Sequence, residues 1–475
     1  MAIKIYNTLV REKVEFKPIE KNKVRFYQCG QTVYSMHHIG NMRAMVMSDI
    51  VIRTLDYLGY KINFVRNYTD VGHLTSDEDA GEDKIEKGAK KEGLSPQELT
   101  EKYIKLFEDD TNKLNTLSPT HKPKATENIQ EIIDMVQILL DKGYAYRTDL
   151  AVYFDTSKVI NYTQLSGQKI EENREGAGTG EISDSQKKNP ADFALWFFKA
   201  GKHKKAIQYW SSPFHSPLVK EGEGFPGWHI ECSAMSKRYL GTTLDIHMGG
   251  IEHIPIHHTN EIAQSEAANG VGFVKYWLHH EHLLTDGKKM SKSKGTTFTI
   301  NEIEGKGFDP LTLRSFFLQA HYRSRQNFTW EALESAQTGL NRIYEQVASW
   351  GDDVGQINTK FKEKFIEKIS DDFNTPQALA VVSELLKSDI EDKDKLATIL
   401  DFDKVLGLKL NEAKNKVQTS LVISELSQEI QEIITERIKA RENKDYKKSD
   451  ELRDKLSEIG YEIKDSGLET EIFKK

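Results

Sequence analysis

Cys29–Asn41 reads CGQTVYSMHHIGN, and the rest of the chain can be read outward from it. Upstream, Lys23–Gln28 (KVRFYQ) alternates apolar and polar side chains, as a strand does. Downstream, Met47, Ile50, Val51, Leu55 and Leu58 recur at helical spacing, and the run stops at Gly59. Ile62–Tyr68 then reads as a second strand. Strand, turn, helix, strand is a βαβ unit, so the quoted stretch falls at the carboxyl end of a strand and over a helix N-terminus. Free N–H groups and the helix dipole favour negative charge there, which suits a phosphate. In the turn His38-Ile39-Gly40-Asn41, Gly40 lets a nucleotide approach the backbone. His38 can donate a hydrogen bond to a phosphate oxygen, and Cys29 faces the same crevice.

Bulk properties narrow the classes. A chain of 475 residues has length for several domains and a sizeable core. Charged residues make up 29% and the net charge is -7, which excludes a uniformly basic nucleic-acid binder; any RNA contact has to use local basic patches. Cys29 and Cys232 are the only two cysteines, too few for a disulfide framework, so a reducing, cytoplasmic setting is expected. The first residues, MAIKIYNTLVREKVEF, contain no continuous apolar run of the signal-peptide kind, and no stretch has the length to span a bilayer. No membrane association is expected.

Three further stretches change the weight of the opening motif: Lys289-Met290-Ser291-Lys292-Ser293 (KMSKS), Gly227–Ser236 (GWHIECSAMS) and Ile256–Glu266 (IHHTNEIAQSE). A HIGH-like turn followed by KMSKS resembles the class I aminoacyl-tRNA synthetases. With the other two, the chain resembles the cysteinyl-tRNA synthetase family, from the first strand to the segment Arg441–Gly460. The resemblance implies an α/β fold: a Rossmann-like nucleotide-binding catalytic domain with an insertion, followed by an α-helical bundle and a small C-terminal α+β unit. The boundaries expected are 1–125 and 224–309 for the two catalytic halves, the second with the KMSKS loop, and 126–223 for the insertion. The helical region is placed at 310–424 and an anticodon-binding unit at 425–475. Glu171–Asn189, polar and Gly-rich, reads as a mobile loop within the insertion.

The implied metal ligands are Cys29, Cys232, His257 and Glu261, one zinc per chain. Both cysteines are in the set, and His257 and Glu261, four apart at a helix start, share one face. Thiolate, imidazole and carboxylate together suit tetrahedral Zn²⁺. His258 serves equally well on spacing; the family motif takes the first histidine of the pair. Zinc has a reason to be present, because a hydrocarbon pocket separates cysteine from near-isosteric serine poorly, by on the order of 10²-fold, whereas a soft thiolate bonds a metal that a hydroxyl does not. Trp228 is expected to close over the substrate. His229 and His247 stand as groups supporting the ligands or as purely structural ones. Asn67-Tyr68-Thr69-Asp70 resembles the family's NxTD motif, which gives Thr69 the substrate amino group; a strand-end turn is the alternative on local chemistry. The charged stretch Gly72–Gly93 departs from the family's shorter aspartate-rich continuation, and the resemblance assigns it no role.

For ATP, the resemblance gives phosphate contacts to His38, Gly40, Asn41 and Lys292. Lys289 and Lys292 stabilise the charge that develops when a carboxylate attacks the α-phosphate and pyrophosphate leaves. Asn41 stands where the signature ends in His. The reaction implied is ATP-dependent joining of cysteine to tRNA(Cys) by a monomer, through cysteinyl adenylate, with Mg-ATP, cysteine and tRNA(Cys) as partners. Competing readings are a cysteine ligase with an amino-sugar acceptor, and an inactive RNA-binding or zinc-sensing paralogue. In the C-terminal unit Arg437, Lys439, Arg441, Lys444, Lys447, Lys448 and Arg453 are expected to meet phosphates; a solvated helix pair laced by ion pairs is the alternative.

Overall fold

The computed structural model describes residues 2–74, 83–168, 184–290, 297–417, 423, 426–466 and 469–474. Lys292 and the rest of Ser291–Thr296 lie outside the described residues, as do 75–82 of the Gly72–Gly93 stretch and 169–183, which take in most of the expected mobile loop.

The chain opens with an antiparallel pair, β1 (Lys4–Asn7) and β2 (Glu12–Glu15). Next come β3 (Lys23–Thr32), α1 (Ile39–Tyr57) and β4 (Lys61–Thr69), the expected βαβ unit. Two helices follow, α2 (Lys84–Glu92) and α3 (Pro96–Lys113). The insertion contributes α4 (Ile129–Asp141), β5 (Ala145–Arg147), β6 (Ala151–Phe154) and β7 (Phe193–Phe198). With β8 (Gly224–Pro226) these strands form an antiparallel sheet in the order β5-β6-β7-β8. The strand at Gly224, where the second catalytic half was expected to begin, thus hydrogen-bonds to the insertion.

Then come α5 (Trp228–Leu240), β9 (Leu244–Gly250), α6 (His257–Asn269) and β10 (Val274–His280). The central sheet is wholly parallel, in the order β10-β9-β3-β4. The chain leaves β3 toward β4 on one side and builds β9 and β10 on the other. The topological switch point therefore falls between β3 and β9, and a crevice opens at their carboxyl ends.

Short strands β11 (Leu283–Thr285) and β12 (Lys288–Lys289) lead into α7 (Ile300–Gly305) and α8 (Pro310–Leu318). Beyond Pro310 the helical expectation is interrupted by β13 (Gln326–Phe328), which pairs in parallel with β11. Its partner is remote in sequence, so no local periodicity announces it. Helices α9 (Trp330–Ser349), α10 (Thr359–Ser370), α11 (Thr375–Leu386) and α12 (Asp392–Leu406) follow. Residues 1–340 with 354–408 form one compact unit, and 341–353 with 409–475 a second. Among the described residues no helix is long and apolar enough to cross a membrane.

The second unit contains α13 (Ala413–Lys416), α14 (Gln428–Glu442), α15 (Tyr446–Glu458) and a hairpin of β14 (Tyr461–Ser466) and β15 (Glu469–Lys474). The two long helices match expectation; β15 doubles the single strand expected. Arg437 is a correction. It is fully buried and grips Asp465 with both terminal nitrogens, at 3.0 and 2.7 Å, so it holds the hairpin to α14 and does not face a phosphate. Arg441 adds a contact to Asp465 at 2.7 Å, and Lys448 pairs with Glu436 at 2.6 Å. Hydrogen bonds from Arg437 hold the Asp465 carboxyl down at about 2. Asp465 of the hairpin and Glu436 of α14 are what recruit these cations. Lys439, Lys444 and Lys447 stay exposed.

Helix α1 carries the phosphate turn and is buried along most of its length. Two charged residues anchor it. Arg43 is buried and donates to the carbonyl oxygens of Glu281, His321 (3.3 Å) and Ser324 (2.9 Å) and to the Gln326 side chain (3.2 Å). Burial pushes its guanidinium down to about 10, which leaves it charged at neutral pH. Asp49, also buried, pairs with Arg314 of α8 at 2.6 Å and with Arg53 at 2.8 Å, and accepts from the Leu117 N–H at 2.7 Å. Removing one partner of such a pair strands the other's charge. Asp49→Ala should therefore cost about 3–5 kcal/mol, read as a lower urea midpoint; an unchanged midpoint would show that Arg314 finds another partner.

Candidate active site

Cys29 lies where the β3–β4 ladder loses register, between Gln28 and Gln31. A bulge of this kind re-aims a side chain. The Asn67 side chain mends the break by accepting from the Gly30 N–H at 2.8 Å. Gly30 is required there, since a Cβ would sit 1.5 Å from the Asn67 carbonyl oxygen. Cys29 thereby turns toward Cys232 on α5, with the sulfurs 4.0 Å apart. From α6, Glu261 brings Oε1 to 3.7 Å from the Cys29 sulfur and 3.0 Å from His257 Nε2. One donor atom from each of Cys29, Cys232, His257 and Glu261 falls within 4.8 Å of all the others.

A second set overlaps the first. Cys29, His247, His258 and Glu261 meet the same closeness, and both added rings place Nε2 at 3.3 Å from the Cys29 sulfur. The His257/His258 ambiguity of the sequence is thus physical, because both rings reach the cluster. Their far nitrogens differ. His257 Nδ1 meets His229 Nδ1 at 2.9 Å. His258 Nδ1 meets His279 Nε2 at 2.7 Å, and His279 Nδ1 meets the Thr8 hydroxyl at 2.8 Å. His229 therefore orients His257, and His247 stacks on Trp277 at 4.6 Å.

The donor set suits a soft divalent cation. All four groups are buried. Burial pushes the Cys29 thiol and the Glu261 carboxyl well up, and holds His257, His247 and His258 well down. Neutral imidazoles are what a metal binds, and a bound cation would draw the thiol and carboxyl into their anionic forms. Glu261 Oε2 and His247 Nδ1 are buried without a hydrogen-bond partner, an arrangement that calls for a ligand. Tetrahedral zinc with ordinary Zn–S bonds separates two sulfurs by about 3.8 Å, close to the spacing of Cys29 and Cys232.

The crevice beside this cluster has a volume of about 370 Å³ and is lined by His38, Gly40, Asn41, Trp228, His257 and Met290, among others. At the α1 N-terminus, His38 Nδ1 accepts from the Asn41 N–H at 3.3 Å, and the Asn41 side chain accepts from the His38 N–H at 3.1 Å. This capping box explains Asn41, which also donates to Gln31 at 3.2 Å. It also places the His38 ring proton on Nε2. A Cβ on Gly40 would lie 3.3 Å from the Met290 sulfur, so the HIGN turn and the start of the KMSKS loop share one wall of the crevice. Lys289 is placed by its backbone in β12. Thr69 does not line the crevice: it is buried, donating to Glu231 at 3.0 Å and accepting from Asn67 at 3.4 Å. Sequence reading missed His73, Glu231, His258's partner His279, and Tyr27, whose ring packs on His247. Single histidines and tyrosines outside a motif carry no signal; a histidine-rich strand end, Leu278-His279-His280, was the one available hint.

A parallel sheet with its crevice at the switch point, and the HIGN turn facing the KMSKS loop, define a class I aminoacyl-tRNA synthetase. Comparison with known proteins narrows the class. Residues 15–338 match the tRNA synthetases class I (C) catalytic domain, 364–411 the DALR domain, and 424–472 the cysteinyl-tRNA ligase anticodon binding domain. Cysteine–tRNA ligase from Treponema denticola is 41% identical, across 99% of this chain and 99% of its own length. The enzyme from Chlorobaculum tepidum is 40% identical across 98% and 97%. Among solved structures, Mycobacterium tuberculosis methionyl-tRNA synthetase with methionyl-adenylate covers 82% of this chain and 91% of its own, with a TM-score of 0.54 at 14% identity. A ternary complex of Agrobacterium radiobacter K84 LeuRS with tRNA and LeuAMS covers 84% and 85%, with a TM-score of 0.57 at 10% identity. These two share the fold. The chain belongs to the cysteine–tRNA ligase family, and is a ligase.

Gly30→Ala should destabilise the protein by at least about 1–3 kcal/mol through overpacking at the bulge and move Cys29 out of the cluster. Thermal unfolding and the rate of Cys29 alkylation check it; wild-type values for both would show that β3 and β4 separate without consequence.

Proposed function

We propose that the buried cluster holds one zinc ion through Cys29, Cys232, His257 and Glu261, and that it recognises the cysteine side chain. The observation that carries this is the convergence of the chain's two thiols with an oriented imidazole and a carboxylate whose second oxygen has no partner. When bound, the ion supplies a soft Lewis acid that takes the substrate sulfur as a thiolate. His229 and Gln264 secure the ligand helices: Gln264 donates to the His229 carbonyl at 2.6 Å, tying α6 to α5. Trp228 covers the substrate, and His247 packs behind the cluster.

Mg-ATP binds in the crevice, with phosphates over the α1 N-terminus. His38 donates from Nε2, and Gly40 and the capping-box backbone leave room for the phosphate oxygens. Lys289 and Lys292 offset the charge that grows as the cysteine carboxylate attacks the α-phosphate and pyrophosphate departs. A ribose hydroxyl of the terminal adenosine of tRNA(Cys) then accepts the cysteinyl group. Residues 425–475 meet the anticodon end. The exposed Lys444 and Lys447 supply phosphate contacts, and Tyr446 between them, 64% exposed, offers a face for a loop base. The reaction is placed in the cytoplasm, where thiols stay reduced.

Metal analysis of the purified chain should return one zinc, and Cys232→Ser should lose zinc and cysteine-dependent ATP–pyrophosphate exchange together. Active protein free of metal would remove the ion from the reading. Lys292→Ala should lower the exchange rate on the order of 10²-fold while leaving cysteine KM nearly unchanged, because the charge it meets develops in the transition state. A normal rate would take Lys292 out of the reaction.

A further inference from the structure

Trp228 has two rings much closer than the others around it, His229 and His253, whose centroids lie at 5.4 and 6.2 Å. Its indole lies 4.1 Å from the His73 ring at an interplanar angle of 11°, and 4.3 Å from the His257 ring at 31°. Two rings that close to one indole centre cannot share a face without overlapping, so they take opposite faces. The indole is a middle layer, with a cluster histidine on one side and His73 on the other. His73 is itself held from its edges. Lys84, at the start of α2, brings its ammonium to 2.6 Å from Nε2, which must accept. Nδ1 therefore carries the ring proton and donates to the Thr32 hydroxyl at 2.5 Å. The backbone closes the arrangement, with the Lys84 N–H donating to the His73 carbonyl at 2.9 Å and Leu74 bridging to Asp83. Thr32 ends β3, the strand that carries Cys29.

We propose that His73 is a positioning residue for Trp228: it holds the indole against His257, and with Lys84 it sets the roof of the amino-acid pocket. This rests on the reading of Trp228 as that roof. The argument is geometric. A half-buried indole lining a crevice has several rotamers unless something holds it, and ordering it costs entropy at each binding event. A ring stacked on its outer face removes that freedom in advance, as preorganisation does. His73 itself is fixed by β3 and α2, so the roof keeps register with the ligand strand. Residues remote in sequence are thereby coupled in one stack: Thr32, His73, Trp228, His257.

The test compares His73→Leu and His73→Phe in the full-length, metal-loaded enzyme. Both lose the edge hydrogen bonds, and only Phe can stack. Aromatic pairs contribute enough that cysteine KM in exchange should rise about 3- to 10-fold in His73→Leu, with ATP KM and zinc content unchanged, and return toward wild type in His73→Phe. Adding Trp228→Phe should shrink the effect of His73→Leu, since the two residues share one interaction. The fluorescence of Trp228, taken as the difference from each protein's Trp228→Phe counterpart, should shift to the red in His73→Leu as the indole gains solvent. Equal cysteine KM for Leu and wild type, no recovery in Phe, additive losses in the double variant, or unshifted emission would each overturn the proposal. If Trp228→Phe alone leaves cysteine KM unaltered, the roof reading itself fails, whatever His73 does.

Discussion

Two thiols, a carboxylate and several imidazoles are buried together at the wall of the crevice, and among the described residues no Lys or Arg pairs with them to balance the anionic forms. That constraint organises the structure. Desolvating one ionised acid is costly, and desolvating three donors that compete for the same space is more so. Folding alone does not resolve the conflict; the cation proposed for the cluster would, and the free energy of binding it would then be part of the stability of the fold. The geometry around the cluster serves that end. A β-bulge aims Cys29, Asn67 satisfies the backbone left open by the bulge, and His229 and His279 fix two rings from behind.

The phosphate side obeys a different constraint, rigidity between two halves that come from distant parts of the chain. Helix α1 presents His38 and Asn41, and the Lys loop follows β11. Arg43, on the second turn of α1, donates to the Glu281 carbonyl just before β11 and to groups flanking β13. One guanidinium thus ties the N-terminal signature to the strand pair from which the second emerges. Arg suits this task because its fan of donors can be spent on several carbonyls while the charge persists. Asp49, further along the same helix, makes the corresponding tie to α8.

What the sequence disclosed follows from where the signal resides. The βαβ unit was legible because its periods change from two to helical within one short stretch, and the capping of α1 was implicit in His38 and Asn41. The proposed ligand set could be picked out only through motif resemblance, since Cys29, Cys232, His257 and Glu261, which the fold brings together, obey no common spacing. His73 left no trace in the sequence and His279 only a histidine-rich strand end, because each acquires its partners from a ring or hydroxyl brought up by another element. Strand β13 was hidden because its pairing with β11 is a tertiary fact, and Arg437 was misread because a cation in a helix looks solvated until its Asp465 partner on the hairpin is known. Thr69 was named for the substrate, whereas the structure buries it outside the crevice lining, its hydroxyl spent between Glu231 and Asn67, partners that no local pattern announces.

The insertion between the catalytic halves has its place in the same logic. Its core gathers Ile132, Val136 and Leu139 of α4 with Phe154, Phe193, Trp196 and Phe198 of its sheet. That core does not close on itself. Ile230 and Ala234 of α5 and Ala263 and Ala268 of α6 belong to it. The two helices that carry Cys232, His257 and Glu261 therefore have one face on the insertion and the other on the cluster. Small alanines on the inserted face allow close approach, so the packing is insensitive to rotamers and stiff. A donor set must be held to within a fraction of an ångström to favour one cation over others, and a parallel sheet alone restrains only the strand that bears Cys29. The insertion supplies the opposing wall, and its β8 leads within two residues into Trp228, so the same layer that braces the clustered donors also fixes the backbone from which Trp228 reaches the crevice.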